Sequence, residues 1–412
     1  MKKIGFVSTR IAGTDGVTLE TYKWSQVLAR NGYDCYFFAG ELDTPRAKSF
    51  LEPKAHFEAP QIMDIQSAPF GMTTRKDSLT ASIQELKEYL KSSLYKFCKK
   101  FKIDLLIPEN ALAIPMNIPL GLALTELIAE TGMPTVAHHH DFSWERRRFL
   151  INSVRDYLQC SFPPNLQSIR HVVINSVASQ QLSYRMGISN LVIPNVFDFE
   201  SPPPPSKGRL LREELGFKDK DLLVLQPTRI VPRKRIERAV ELVNLMKLKP
   251  PRLVVSHKYG DEGEIYPKRI KEYAARLGVK LIYIGDKVGS THAFKTMSDK
   301  KYTMGDIYQN ADLVTYPSDY EGFGNAFLEA VYYKKPIVVN RYWVFVLDIE
   351  PCGFQVIPFE SFVTQELLDQ IKLFLKPKNL NRAADKNYEL GKRYFSYEVL
   401  EKKLLPLIES FR

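Results

Sequence analysis

The stretch Ser201–Pro202–Pro203–Pro204–Pro205–Ser206–Lys207–Gly208 divides the chain into two halves that read alike. Four consecutive prolines fix φ and remove backbone donors, so neither a helix interior nor a central strand can pass through them. A semi-rigid, extended linker is the form such a run takes. Working outward toward the amino terminus, short apolar runs predict strands at Leu191–Ile193, His171–Asn175, Pro134–His138, Asp104–Ile107, Tyr33–Ala39 and Ile4–Ser8. Helical patterns fill the gaps. One runs from about Val17 to Asn31 and stops at Gly32; a long one starts from an Asp77 N-cap and reaches about Phe101, with Ile83, Leu86, Leu90 and Leu94 on one face.

Toward the carboxyl terminus the alternation restarts. Strands are expected at Leu222–Pro227, Arg252–Ser256, Lys280–Ile284, Asp312–Tyr316, Pro336–Asn340 and Gly353–Ile357, and Phe395 to Phe411 reads as a closing helix. Repeated strand–helix–strand units imply mainly parallel sheets covered on both faces, the α/β class. Two such series joined by prolines predict two Rossmann-like domains facing across a cleft. The boundaries are residues 1–200, a linker at 201–208, and residues 209–394.

Composition agrees with a folded two-domain protein. The 412 residues are 44% hydrophobic and 25% charged, with 24 Phe and 21 Tyr to build cores, which excludes general disorder and low-complexity readings. Lys plus Arg (58) exceed Asp plus Glu (47), giving a net charge of +11. Such a balance favours anionic partners: nucleic acid, an acidic membrane surface or a phosphorylated small molecule. The four cysteines form no CxxC, so neither a disulfide framework nor a zinc cluster is implied. The amino-terminal MKKIGFVSTR is too short in apolar residues for a signal-peptide core, and no window reaches the ~18 apolar residues of a membrane span. A cytoplasmic protein is expected, with peripheral membrane contact left open.

Ligands of doubly wound sheets bind outside the carboxyl ends of the strands, so the loops there are the ones to read. The strongest is Asp319–Tyr–Glu321–Gly322–Phe323–Gly324–Asn325–Ala–Phe–Leu–Glu329–Ala330. Its glycines permit close backbone approach, and the helix that follows offers N–H groups to an anion. Glu321 and Glu329 can accept from sugar or ribose hydroxyls; the plain alternative for Glu329 is a solvated helix face. The second loop is Gln226–Pro–Thr–Arg229–Ile–Val–Pro–Arg–Lys234–Arg235. There Arg229 and Lys234 can neutralise a diphosphate, especially as it leaves, although basic runs are more often solvated or face nucleic acid.

The third stretch is His138–His139–His140–Asp141–Phe–Ser–Trp–Glu–Arg146–Arg147–Arg148. His138 and His140 point to one strand face and His139 to the other. The pair admits a metal-dependent hydrolase as a rival reading, but His56, His171, His257 and His292 supply no second close-spaced pair. The fourth, Arg10 to Thr18, holds Gly13 and Gly16 in a loop suited to close approach; neither GxGxxG nor a Walker A motif occurs.

Together these stretches resemble the retaining glycosyltransferases of family four, with the GT-B fold. The likeness spans nearly the whole chain. Its E-x7-E signature corresponds to Glu321 and Glu329, its arginine–lysine spacing to Arg229 and Lys234, and its IPNGVD-like strand end to Ile193–Asp198, with Val196 in place of glycine. The resemblance implies that Arg229 and Lys234 hold the donor pyrophosphate and that Glu329 meets the ribose. It implies that Glu321, with the N–H groups of Phe323, Gly324 and Asn325 after Gly322, meets the transferred sugar. His140 would touch the sugar near its reacting end, and Gly16 would leave room for the phosphates. The final helix, 395–412, would pack back on the first domain.

HHHDFSWERRRF and NRYWVFVLDIEPCGF resemble the family's enzymes for small charged acceptors. This implies a hexose moved from GDP-mannose, or next from UDP-glucose, to a small carboxylated acceptor such as glucosylglycerate. Arg146, Arg147 and Arg148 are the acceptor candidates, with solvated helix positions as the plain alternative. A lipid- or polysaccharide-directed transferase of the same fold is the alternative within the family. No tightly bound cofactor, no structural metal and no specific nucleic-acid partner are expected; a divalent cation would act, if at all, by binding the free donor.

Overall fold

The computed structural model describes residues 2–205, 210–257, 263–289 and 302–411. These fall into two compact units: the first runs to Pro194 and takes in the chain again from Leu400, and the second lies between Asn195 and Val399. The division at Pro194/Asn195 falls ahead of the proline run. Residues 206–208 of the expected linker lie outside the described residues.

In the first unit, β1 (Lys3–Val7), β2 (Asp34–Ala39), β3 (Ser49–Leu51), β4 (Leu105–Pro108), β5 (Thr135–His139), β6 (Ile169–Val173) and β7 (Asn190–Val192) form one sheet. Its order is β3-β2-β1-β4-β5-β6-β7, with every pairing parallel. Winding reverses between β1 and β4, and a crevice opens at the carboxyl ends of such a pair. Helices Asp77–Phe101 and Ile118–Thr131 share one apolar layer in which Ile83, Leu90, Leu94, Leu120 and Leu124 are fully buried. Contact there is close enough that a Cβ at Gly121 would lie 2.2 Å from the Phe162 ring.

The second unit carries β8 (Val224–Gln226), β9 (Arg252–Val255), β10 (Lys280–Tyr283), β11 (Val288–Gly289), β12 (Tyr302–Thr303), β13 (Leu313–Tyr316), β14 (Ile337–Asn340) and β15 (Ile357–Phe359). Its main sheet runs β10-β9-β8-β13-β14-β15, again all parallel, with β11 and β12 paired apart from it. The reversal lies between β8 and β13. Helix Ile236–Leu245 turns Ile236, Ala239, Val240 and Val243 into this core.

Several expected boundaries move for local reasons. Asp77 is the first helical residue, with Lys76 at the N-cap; its carboxylate meets the positive end of the helix from inside the first turn. Strand β3 is three residues long and only half-buried, too weak a pattern to stand out in the sequence. The expected strand Gly353–Ile357 is displaced to Ile357–Phe359, because Gly353 ends a short helical turn in a left-handed conformation (φ 85°). The closing segment is two helices, Pro377–Phe395 and Tyr397–Glu409, broken at an extended Ser396 that bridges to Phe197. In the last helix Leu400, Leu404 and Ile408 are buried, and Lys403 Nζ donates to the Val192 carbonyl at 2.9 Å. No helix among the described residues is long and apolar enough to cross a membrane.

Candidate active site

In the second unit the two loops singled out in the sequence leave β8 and β13, the neighbours at which the winding reverses. After Gln226 the chain passes through Pro227–Val231 to a tight turn, Pro232–Lys234. Arg235 then takes a left-handed conformation (φ 47°) and opens helix Ile236–Leu245. Gln226 fixes the start of this path: its amide donates to Thr228 Oγ1 at 2.8 Å, and its oxygen accepts from Thr315 Oγ1 at 2.7 Å.

The loop after β13 is sewn to that turn. Asp319 N–H donates to the Arg233 carbonyl at 3.0 Å, and Arg235 pairs with the Asp319 carboxylate. Lys234 Nζ contacts Glu321 Oε1, while Arg233 Nη1 reaches Glu321 Oε2 at 3.2 Å and the Tyr320 carbonyl at 3.2 Å. Lys234 and Glu321 are both buried. Burial pushes the Lys234 ammonium below its usual range, against the pull of Glu321. Burial alone would raise the Glu321 carboxyl, but the Lys234 and Arg233 charges outweigh it and hold the group below the usual carboxylate range. The result is a fixed ion cluster in a low-dielectric setting, and Arg229 is near enough to act on the Lys234 charge.

Gly324 closes the loop at φ 137°, where a Cβ would lie 2.6 Å from Tyr342 Oη. That hydroxyl donates to the Phe323 carbonyl at 2.8 Å. Helix Asn325–Tyr332 begins there with no side chain capping its amino end. Asn325 Oδ1 accepts from Asn195 Nδ2 at 2.8 Å. Glu329, half-buried one turn along, is near enough to act on the buried Tyr308 phenol, whose hydroxyl donates to the Ala326 carbonyl at 3.2 Å. The loop thus brings Glu321 against Lys234 and runs through Phe323 and Gly324 into the helix at Asn325, with Glu329 further along it.

Sequence reasoning missed Arg233, which shares Glu321 with Lys234. It also passed over His257, just beyond β9, whose Nδ1 lies 2.8 Å from Ser256 Oγ. Burial, aided by the Lys234 and Arg229 charges, pushes His257 down to about 4.

In the first unit, His138 lies in β5, which ends at His139, and His140 follows directly. His138 Nδ1 lies 2.9 Å, and His140 Nε2 3.1 Å, from the same oxygen, Glu109 Oε2. Glu109 stands just after β4, one strand over, and is completely buried. Asn110, in a left-handed conformation (φ 59°), accepts the His140 N–H on Oδ1 at 3.0 Å and donates from Nδ2 to Asp141 Oδ1 at 2.7 Å. Trp24 stacks on His138 with ring centres 4.0 Å apart. Burial drives Glu109 up to about 7 despite its hydrogen bond from His140, and burial drives His138 down to about 3 and His140 below its usual value.

These three groups place ligand atoms within 4.8 Å of one another. Both histidine nitrogens meet one carboxylate oxygen at hydrogen-bond distances, the geometry of a proton-sharing trio. His139 faces the other way and meets His171 at 2.9 Å. Glu109 and Asn110 were missed in the sequence; an acid and an amide directly after a central strand were the available signal.

Gly16 is the first residue of helix Gly16–Arg30 and is exposed. The amino end of that helix is taken by Asp15, whose carboxylate accepts from the Val17 and Thr18 N–H groups at 3.1 Å each. The Val17 and Thr18 N–H groups that follow Gly16 are therefore spent on Asp15. Of the three arginines, Arg146 donates from Nε to Asp141 Oδ2 at 2.7 Å, and Arg148 lies over Phe149 with Nη2 2.7 Å from Met116 Sδ. Arg147 is exposed.

Comparison with known proteins matches residues 209–389 to the family model described as glycosyl transferases group 1. The chain is 32% identical to a mannosylglucosylglycerate synthase of Thermotoga maritima, over 98% of this chain and 100% of that protein. It is 30% identical to the enzyme of the same name from Petrotoga mobilis, over 97% and 100%. Among solved structures, a glycosyltransferase from Rickettsia africae superposes with a TM-score of 0.68 at 14% identity, covering 99% of this chain and 98% of that one.

Proposed function

Because the chain belongs to the group 1 glycosyl transferases, hexosyltransferases of the GT-B fold, we propose that it moves mannose from GDP-mannose to glucosylglycerate with retention of configuration. The observation that carries the donor half is the cluster of Arg233, Lys234 and Glu321 at the β8/β13 reversal, beside an uncapped helix amino end. Support for the donor sugar and the acceptor comes from the two synthases, which match from end to end.

On this reading the donor diphosphate lies against Lys234 and Arg229. Their charges grow in value as the sugar–phosphate bond stretches and the diphosphate takes up negative charge, which is where fixed cations accelerate a reaction. The N–H groups of Phe323, Gly324 and Asn325 and the Glu321 carboxylate receive the sugar hydroxyls, and Glu329 receives the ribose. His140 meets the sugar near its reacting carbon, and Gly16 gives the phosphates room. The acceptor hydroxyl approaches on the face from which the diphosphate departs, and a leaving phosphate oxygen takes its proton. No carboxylate pair flanking the sugar is required, unlike in a glycoside hydrolase. Arg147 and Arg148 are the acceptor cations, Arg146 being committed to Asp141.

The test is a transfer assay on the full chain across GDP-mannose, UDP-glucose and their relatives. Glucosylglycerate, its 3-phosphorylated form, a lipid acceptor and no acceptor are compared. A mannosylated product with α linkage, formed from GDP-mannose and glucosylglycerate, is expected, and transfer should persist in chelator. Turnover confined to another donor or to a lipid acceptor would overturn the substrate assignment. Loss of activity in chelator that returns with metal would revive the histidine pair as a metal site.

A further inference from the structure

The Glu109, His138 and His140 trio is more elaborate than a lone substrate-touching histidine requires. We propose that Glu109 is a positioning residue for transfer, holding the His140 ring so that Nε2–H is spent on Glu109 and Nδ1 is the nitrogen left to meet a substrate hydroxyl. This deepens the role given above to His140 and rests on that reading.

Three observations converge on it. The His140 backbone is held by Asn110 Oδ1, and its ring by Glu109 Oε2 at 3.1 Å, so both position and rotation are fixed. The carboxylate is itself fixed, because the same oxygen meets His138 Nδ1 at 2.9 Å and His138 lies flat on Trp24. Finally, proton counting selects the tautomer. Above about pH 7, where Glu109 is ionised, the carboxylate is only an acceptor, so both nitrogens facing it carry hydrogen, and each imidazole keeps its lone pair on the far nitrogen. For His138 that nitrogen, Nε2, is buried without a partner. His140, 8% exposed at its side chain, keeps Nδ1 for the ligand. A carboxylate that orients an imidazole and fixes its tautomer is a recurrent way to prepare a histidine for chemistry.

Other charges bear on the trio. Glu20 acts on both Glu109 and His138 and is paired with Lys23 at 2.5 Å; Asp141 acts on His140 and is paired with Arg146. None of these cations touches Glu109 in the contacts above, so the two imidazoles are its hydrogen-bond partners.

The experiment compares Glu109→Gln, His140→Ala and the double variant in GDP-mannose transfer to glucosylglycerate, with folding checked by thermal unfolding. Imidazole ¹⁵N spectra report the His140 tautomer directly, without activity. Glu109→Gln should lower kcat by about 10- to 100-fold, the range for removing a partner that orients a functional histidine, with donor KM little changed. The double variant should be no worse than His140→Ala alone, and the pH profile of kcat/KM should shift in Glu109→Gln. Spectra of the parent protein at about pH 8, where Glu109 is ionised, should show hydrogen on Nε2. If Glu109→Gln does not fold, Asn110→Ala and the parent spectra carry the test, since loss of the Asn110 contact should also lower kcat. Normal turnover in Glu109→Gln, additive losses, hydrogen on Nδ1 or a stoichiometric metal in the purified protein would each overturn the proposal. Normal turnover in His140→Ala would instead sink the assignment of His140 to the reaction, a distinguishable failure.

Discussion

At the scale of single residues, Glu321 is the most informative position in the chain, because it is held by two cations at once. A buried carboxylate between Lys234 and Arg233 restrains both side chains and lowers the positive potential that a diphosphate would feel. Opposite outcomes for binding and catalysis are therefore expected on its removal. Glu321→Gln should bind nucleoside diphosphate as tightly as the parent or more tightly, while transfer falls by at least about 100-fold. Calorimetry with GDP beside the transfer assay checks both halves, and weaker GDP binding would contradict this account. Lys234→Ala should instead lose on both counts, weakening GDP and reducing kcat by an amount equivalent to about 2.7–4 kcal/mol. Arg233 still meets Glu321 there, so the fold should survive; near-normal turnover would remove Lys234 from the reaction.

At the scale of elements, the loop from Asp319 to Gly324 depends on the glycine at its end, where the backbone turns into the helix. Gly324 sits at φ 137°, a conformation L-residues rarely adopt, and Tyr342 Oη fills the space where a Cβ would go. Gly324→Ala should cost about 1–3 kcal/mol in strained backbone and should displace the start of helix Asn325–Tyr332. Adding Tyr342→Phe relieves the contact but not the strain, so denaturation midpoints should recover only in part; full recovery would mean that the clash alone mattered. This loop also shows how legibility was distributed. The glycines, Glu321 and the strand–loop–helix order were readable, because local chemistry states them within one short stretch. The contact of Arg233 with Glu321 was not, since it depends on β8 and β13 being sheet neighbours despite their distance in the chain. Glu109 was hidden in the same way, its partners lying a strand away, in β5 and just after it. Short apolar runs located most strands, whereas β3, β15 and the break at Ser396 depend on packing and pairing that no periodicity records.

At the scale of the whole molecule, the buried histidines should make stability depend on pH, and the sign follows from their shifts. Burial lowers His138 to about 3, His171 to about 4 and His257 to about 4, and it pushes His139 well below its usual value. Between those values and the unfolded pKa near 6.5, the unfolded chain binds more protons than the folded one. Stability is then complete above about pH 6.5 and is lost as pH falls through this window. His138, His171 and His257 each cost about 2 kcal/mol at pH 5 relative to neutral pH. Glu109 acts in the opposite sense: raised to about 7, it binds a proton in the folded state before the unfolded one, adding stability at pH 5 that is lost toward pH 7. One carboxyl opposes five histidines, His140 being lowered by burial as well, so net loss on acidification is expected. Urea midpoints should fall from pH 7 to pH 5, less steeply in His171→Gln, which removes one member of the His139 pair at 2.9 Å. In Glu109→Gln the opposing term is gone and the fall should steepen. A flat midpoint across that range, or equal slopes in all three proteins, would show that the buried imidazoles gain protons as readily folded as unfolded.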